Sequence, residues 1–178
     1  KLGLNTDTGD ITGEVIKERE VTSDKAAVLA EMEKFKGEIT QFPPMYSAVK
    51  VNGQPLYKLA RQGVTVERKP RKAIIKELVM TDSDEANNTY TIRVVCSEGT
   101  YIRTLVEDIG ENLGCGAVLT SLSRTKACGY TLDQTITLGQ LQQARDTDTI
   151  DSLIAPVDSV FMHLDRIDLS DELAKRAI

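Results

Sequence analysis

Between residues 89 and 113 the chain changes its hydrophobic period once, at Gly99. Upstream, residues 89–96 alternate apolar and polar side chains as a half-buried strand does. Downstream, Ile102, Leu105, Val106, Ile109 and Leu113 recur at helical spacing, which predicts a helix over 100–113. Gly114 and Gly116 follow and stop it. A strand running straight into an amphipathic helix places sheet and helix around one core, which excludes all-α and all-β architectures.

The remaining segments favour α+β. Residues 73–80 read as a second strand, joined to 89–96 by the polar stretch from Asp82 to Asn88, so the two form an antiparallel pair. Residues 14–18 alternate as a strand after the turn-rich Thr6-Asp7-Thr8-Gly9-Asp10 cluster. Val28, Leu29, Met32 and Phe35 fall at helical spacing behind the candidate N-caps Thr22, Ser23 and Asp24, predicting a helix over 24–36 that Gly37 ends. Residues 46–51 read as extended, with a turn at Asn52-Gly53. Pro55 suits the first position of a short helix over 55–62, stopped by Gly63, with Lys58 and Arg61 exposed. Residues 117–122 and 127–132 read as strands, and Thr137 caps a helix carrying Leu138, Leu141 and Ala144. The order of elements is mixed rather than alternating. The expected fold is therefore a mixed, largely antiparallel sheet with helices on one face.

Charge is distributed unevenly. The formal net charge of -5 argues against a polyanion-binding protein when taken as a sum. From Lys50 to Lys76, however, eight basic residues stand against Glu67 alone, which makes this segment a candidate phosphate-facing surface. From Asp146 to Glu172 eight acidic residues face only Arg166, so that end should point away from a polyanion. No apolar run approaches the roughly 20 residues of a membrane span, so no membrane partner is expected. Cys96, Cys115 and Cys128 lack zinc-ligand spacing and read as reduced, cytoplasmic thiols, and the single histidine, His163, has no catalytic or ligand partner nearby in sequence.

The segment with most chemical potential is Gly99-Thr100-Tyr101-Ile102-Arg103-Thr104-Leu105, where an arginine stands in the first turn of a helix beside unpaired N–H groups suited to a carboxylate or phosphate. The spacing by itself does not decide between such a site and the plainer reading of a surface arginine and a half-buried tyrosine. The segment resembles the G-T-Y-I-R-[TS]-L motif of the TruB family of bacterial tRNA pseudouridine synthases. Three further blocks follow that family in order. Leu2-Gly3 with Thr6-Asp7-Thr8 and Asp10 is similar to L-G-x-x-T-D-T-x-D. Residues 41–50, from Gln41 through Pro43-Pro44 and Tyr46 to Lys50, resemble Q-x-P-P-x-Y-S-A-x-K. Leu56-Tyr57 with Ala60-Arg61-Gln62-Gly63 resembles L-Y-x-x-A-R-x-G.

The resemblance implies isomerisation of uridine to pseudouridine at position 55 in the T-loop of tRNA. It implies an aspartate nucleophile upstream of Lys1, base flipping, and neither a metal nor an organic cofactor. It implies that Arg103 pairs with that aspartate, that Tyr101 lies beside the flipped uridine, and that Leu122 packs against it. Core packing is the alternative for Tyr101 and Leu122. Asp10, Tyr46, Lys50, Lys58 and Arg61 become the expected RNA contacts, with a loop-stabilising Asx turn the alternative for Asp10. Glu98 stands where relatives commonly carry Lys. The T-arm of tRNA is the expected partner, with no obligatory protein partner. Residues 1–163 are expected to belong to the catalytic domain, its N-terminal part missing, and 164–178 to start a truncated, PUA-like RNA-binding domain. Two rivals accompany this reading: a non-catalytic RNA-binding or tRNA-folding protein on the same fold, and a guide-dependent synthase of the same superfamily.

Overall fold

The computed structural model describes residues 1–161, 164–165 and 167–177; His163 lies outside them. The chain divides into two compact units, Lys1–Leu122 and Ser123–Ile178.

The first unit opens with β1 (Leu4–Thr6) and β2 (Val15–Glu18), an antiparallel pair around the 7–14 loop. Helix α1 (Lys25–Glu33) follows, capped by the Asp24 side chain, which accepts from the Ala27 N–H at 2.8 Å. Its inner face departs from the expected one. Val28 and Met32 are buried, Leu29 is exposed, and Glu31 is buried in its stead. Lys34 donates to one Glu31 oxygen at 2.7 Å and Asn112 to the other at 2.8 Å, so the buried carboxylate ties α1 to a later helix. These bonds hold Glu31 below the ordinary carboxylate range, Lys34 being the larger cause.

Helix α1 stops at Glu33, three residues short of the expected end, and Gly37, at φ +91°, begins β3 (Gly37–Gln41), a strand the sequence pattern did not reveal. Chain excursion 42–70 carries β4 (Lys50–Val51), β5 (Gln54–Pro55) and helix α2 (Leu56–Ala60). Asn52 and Gly53, both at positive φ, make the expected turn between β4 and β5. The extended run expected from residue 46 is corrected: only Lys50 and Val51 form strand, because the two prolines lead into a bend at residues 45–48. Pro55 sits at the N-cap of α2, one residue earlier than expected.

The main sheet has the order β3-β6-β7, all antiparallel, with β6 (Arg71–Asp84) in the centre and β7 (Thr89–Cys96) at an edge. β6 extends through much of the expected polar connection, leaving a single turn at Glu85–Asn87. Register shifts between Ile75 and Glu77 and between Met80 and Asp82 mark bulges; the first explains how Ala73, Ile75 and Leu78 all reach the core although their numbering breaks a period of two. Helix α3 (Ile102–Asn112) and α1 cover that face: Val28, Met32, Leu105 and Ile109 pack with Ile75 and Leu78. The opposite face exposes Ile74, Val79 and Val95.

The strand expected over 117–122 is corrected to a short extended rail. It makes an antiparallel bridge from Ala117 to Leu2 and a parallel bridge from Leu119 to Asp10, the one parallel pairing among the described residues.

In the second unit, the strand expected over 127–132 is a hairpin instead, β8 (Lys126–Ala127) and β9 (Tyr130–Thr131). Cys128 and Gly129 both adopt positive φ at its tip, the requirement of a tight two-residue turn. Helix α4 (Leu138–Asp146) starts at Thr137 as expected, through a reciprocal capping box with Gln140. Three 3-10 turns, Leu132–Gln134, Ile150–Leu153 and Val157–Phe161, and α5 (Asp171–Ala177) make up the rest of its described elements.

Candidate active site

Helix α3 begins at the point where the sheet ends. Thr100 folds back on the strand, its hydroxyl donating to the Ser97 carbonyl at 2.8 Å, and Tyr101 takes the N-cap position without a side-chain cap of its own. Gln41, at the end of β3, supplies the acceptor that the Tyr101 N–H lacks within the helix. Its Oε1 accepts from the Tyr101 N–H at 3.0 Å and its Nε2 donates to the Tyr101 carbonyl at 3.1 Å.

Two residues on, Arg103 reaches out of the first turn of α3. Nη1 donates to the Thr8 carbonyl at 3.2 Å and Nη2 to the Tyr46 carbonyl at 2.7 Å. The guanidinium is half-buried and makes no ion pair among the described residues. It joins three segments distant in sequence: the loop after β1, the bend before β4, and α3. The Tyr46 hydroxyl closes the triangle at long range, donating to Asp7 at 3.5 Å.

Asp10 lies in that first loop, and its Oδ1 accepts from the backbone N–H and the hydroxyl of Thr12, at 3.1 and 2.9 Å. The Asx-turn alternative is therefore realised, while Oδ2 has no hydrogen bond among the described residues. Beneath the loop stands Glu107, one turn along α3 from Arg103. Gly9, at φ +71°, lies so close over it that a methyl group there would sit 2.6 Å from Glu107 Oε1. Burial first, then Asp108 and Glu111, push the Glu107 carboxyl above its ordinary range against the pull of Arg103 and Arg68. Sequence reasoning passed over Gln41 and Glu107 as site residues. Gln41 stood in a recognised block, but its role depends on a contact 60 residues away.

The expected RNA contacts divide into two groups. Tyr46 and Asp10 belong to the segments that Arg103 ties together. Lys50, Lys58 and Arg61 are exposed on the β4–α2 excursion. That excursion is fastened to the site by backbone bonds: Tyr57 N–H donates to the Ser47 carbonyl at 3.0 Å, one residue from Tyr46. Arg61 lies over the Tyr57 ring at 5.6 Å, a cation–π contact that orients it along α2. Lys50 also lines a groove with Arg68, Lys69 and Arg71, and Glu67 is its one acidic member. Leu122, at the end of the first unit, is 61% exposed, so it is not packed within that unit. Arg103, Tyr101, Asp10 and Tyr46 are brought together, and Leu122 is left at the margin.

Residues 1–102 match the N-terminal domain of the TruB family pseudouridylate synthases, and residues 103–162 match the C-terminal domain of tRNA pseudouridylate synthase B. The chain belongs to the TruB family. It is 47% identical over 178 residues to tRNA pseudouridine synthase B of Ralstonia nicotianae, covering 99% of this chain and 56% of that protein. The protein of the same name from Pseudomonas fluorescens is 49% identical over 162 residues, covering 89% and 52%. That from Burkholderia mallei is 48% identical over 176 residues, covering 99% and 57%. The chain thus spans about half the length of the curated relatives it matches. Among solved structures, a chain of a Cbf5-Nop10-Gar1 complex superposes with a TM-score of 0.60 at 26% identity, over 80% of this TruB chain and 40% of that one.

Proposed function

We propose that this TruB chain is the central part of an enzyme that isomerises uridine to pseudouridine at position 55 in the T-loop of tRNA. An aspartate outside the sequence serves as nucleophile, and the base is flipped out of its stack. One observation carries this reading. The family blocks around Asp7 to Asp10, around Gln41 to Lys50 and around Gly99 to Leu105 converge on a single guanidinium, Arg103. The fourth block, in α2, is fastened to the second by the Tyr57–Ser47 bond.

Arg103 is the residue matched to the family's aspartate partner. Its hydrogen bonds end on neutral carbonyls, so the guanidinium stands ready for an incoming carboxylate, which it would hold ionised and oriented. Tyr101, fixed on the same turn, would flank the flipped base, and Leu122 would pack on it. Asp10 Oδ2, without a hydrogen bond among the described residues, would accept from the substrate. Lys50, Lys58 and Arg61 would meet phosphates of the T-arm, a contact dominated by charge and shape. Residues 1–163 belong in this reading to the catalytic domain and 164–178 to the start of a PUA-like RNA-binding domain. No cofactor and no protein partner enter the scheme, and the cytoplasm is its site of action.

The test is tritium release from 5-tritiated uridine in a T-arm hairpin by the full-length protein, with Arg103→Ala beside it. Release by the wild type, slowed by about a hundredfold or more in the variant, supports the assignment. A folded wild type that binds the hairpin without release overturns it in favour of RNA binding without chemistry.

A further inference from the structure

We propose that Gln41 is a positioning residue of this site: its side-chain amide locks the backbone of Tyr101 and so sets the direction in which Tyr101 and Arg103 face the substrate. The inference rests on the function proposed above.

Gln41 is 2% exposed, and both ends of its amide are used on one residue, Tyr101. The pairing copies the two-bond exchange of an antiparallel ladder, with a side chain in place of the second strand. Tyr101 is the point where the chain turns from the Gly99 loop into α3, and no side chain of the helix caps it. A helix N-terminus without such a partner frays, because its first N–H groups have no intrahelical acceptor. The tie is reciprocal. Gln41 grips the backbone of Tyr101, while Arg103, on the same turn, grips the backbone of Tyr46, five residues beyond Gln41. Segments 41–46 and 101–103 are thereby fastened at both ends, each by the other's side chain. The Gln41 clasp does not resemble ordinary core packing, which would place an apolar residue at a position this buried.

A Gln41→Glu replacement keeps the acceptor for the Tyr101 N–H and loses the donor to its carbonyl, except when the introduced acid is protonated. Burial raises the pKa of such an acid above its usual ~4.3. In the full-length enzyme acting on the T-arm hairpin, kcat should fall by about a hundredfold at pH 8, the scale of a small misplacement of catalytic groups. KM should stay within about twofold. The loss should shrink as pH falls and the acid regains its proton, measured against the wild-type pH profile. Gln41→Met, an apolar side chain of similar length, should lose turnover without any recovery at low pH.

A folded Gln41→Glu enzyme with wild-type kcat overturns the inference, as does a loss confined to KM or one that follows melting temperature without pH recovery. If neither variant folds, Gln41 serves the fold alone and the inference fails. An inactive wild type instead overturns the proposed function, which separates the two failures.

Discussion

Replacing Arg103 with alanine removes two charge-assisted hydrogen bonds, to Thr8 at 3.2 Å and to Tyr46 at 2.7 Å. A bond to a charged donor contributes about 1.5–3 kcal/mol. The longer bond and the half-exposed setting of the guanidinium put the pair at the lower end, about 3 kcal/mol in all. At ~2–4 °C per kcal/mol for a protein of this size, the melting temperature should drop by ~6–12 °C. Hairpin affinity should fall as well, since the loops of Asp10 and Tyr46 lose their common staple. Turnover should drop by about 10²–10³, the scale of removing one preorganised charge partner from a site. Arg103→Lys, with a point charge that reaches one carbonyl, should recover part of the stability and little of the rate. Circular-dichroism melts and tritium release on the full-length protein read both quantities. An alanine variant with the wild-type melting temperature and wild-type turnover would refute the reasoning outright.

Gly9→Ala combines a left-handed backbone position with a collision against Glu107 and should destabilise by about 1–3 kcal/mol; Glu107→Ala in the same chain should restore part of it in a double-mutant cycle, and strict additivity would sink the contact. Because burial raises the Glu107 carboxyl above its ordinary 4.5 in the fold, its contribution to stability is full below that value and is lost as pH rises through the folded pKa. Glu107→Gln should therefore gain melting temperature relative to wild type from pH 4.5 upward, and a pH-independent difference would contradict this. Glu111 behaves oppositely: Arg19 holds its carboxyl below 4.5, so Glu111→Gln should lose most at neutral pH and the gap should close as pH falls through the folded value. Alanine at Lys58 or Arg61 should each reduce the salt slope of hairpin binding by about 1, whereas Glu98→Lys should steepen it; unchanged slopes would remove these residues from the RNA-facing surface.

The long periodic segments were legible. Helix α3, the β6–β7 pair, the Asp24 and Thr137 caps and the Asn52-Gly53 turn follow from local chemistry, each encoded within a few residues. What escaped depends on distant partners. β3 is a five-residue strand with a single buried position, Gln41, so no hydrophobic alternation announced it. Residues 117–122 carry strand-like composition, but their pairing is shared between two different segments and never becomes a ladder. In residues 127–132 the positive-φ turn at Cys128-Gly129 overrode strand propensity. The site shows the same division: motif resemblance marked Arg103, Tyr101, Asp10 and Tyr46, yet only the fold shows that Arg103 holds Thr8 and Tyr46 by their carbonyls.

The staple at Arg103 spans 95 residues to Thr8 and 57 to Tyr46. Contacts of that separation carry a loop-closure cost before they return any stability, and they form late. During synthesis the first two segments leave the ribosome well before α3 exists, so they wait without the cation that fixes their geometry. The Arg103 staple is thus a report on completed folding, and a chain arrested before residue 103 would carry both loops without the cation that joins them.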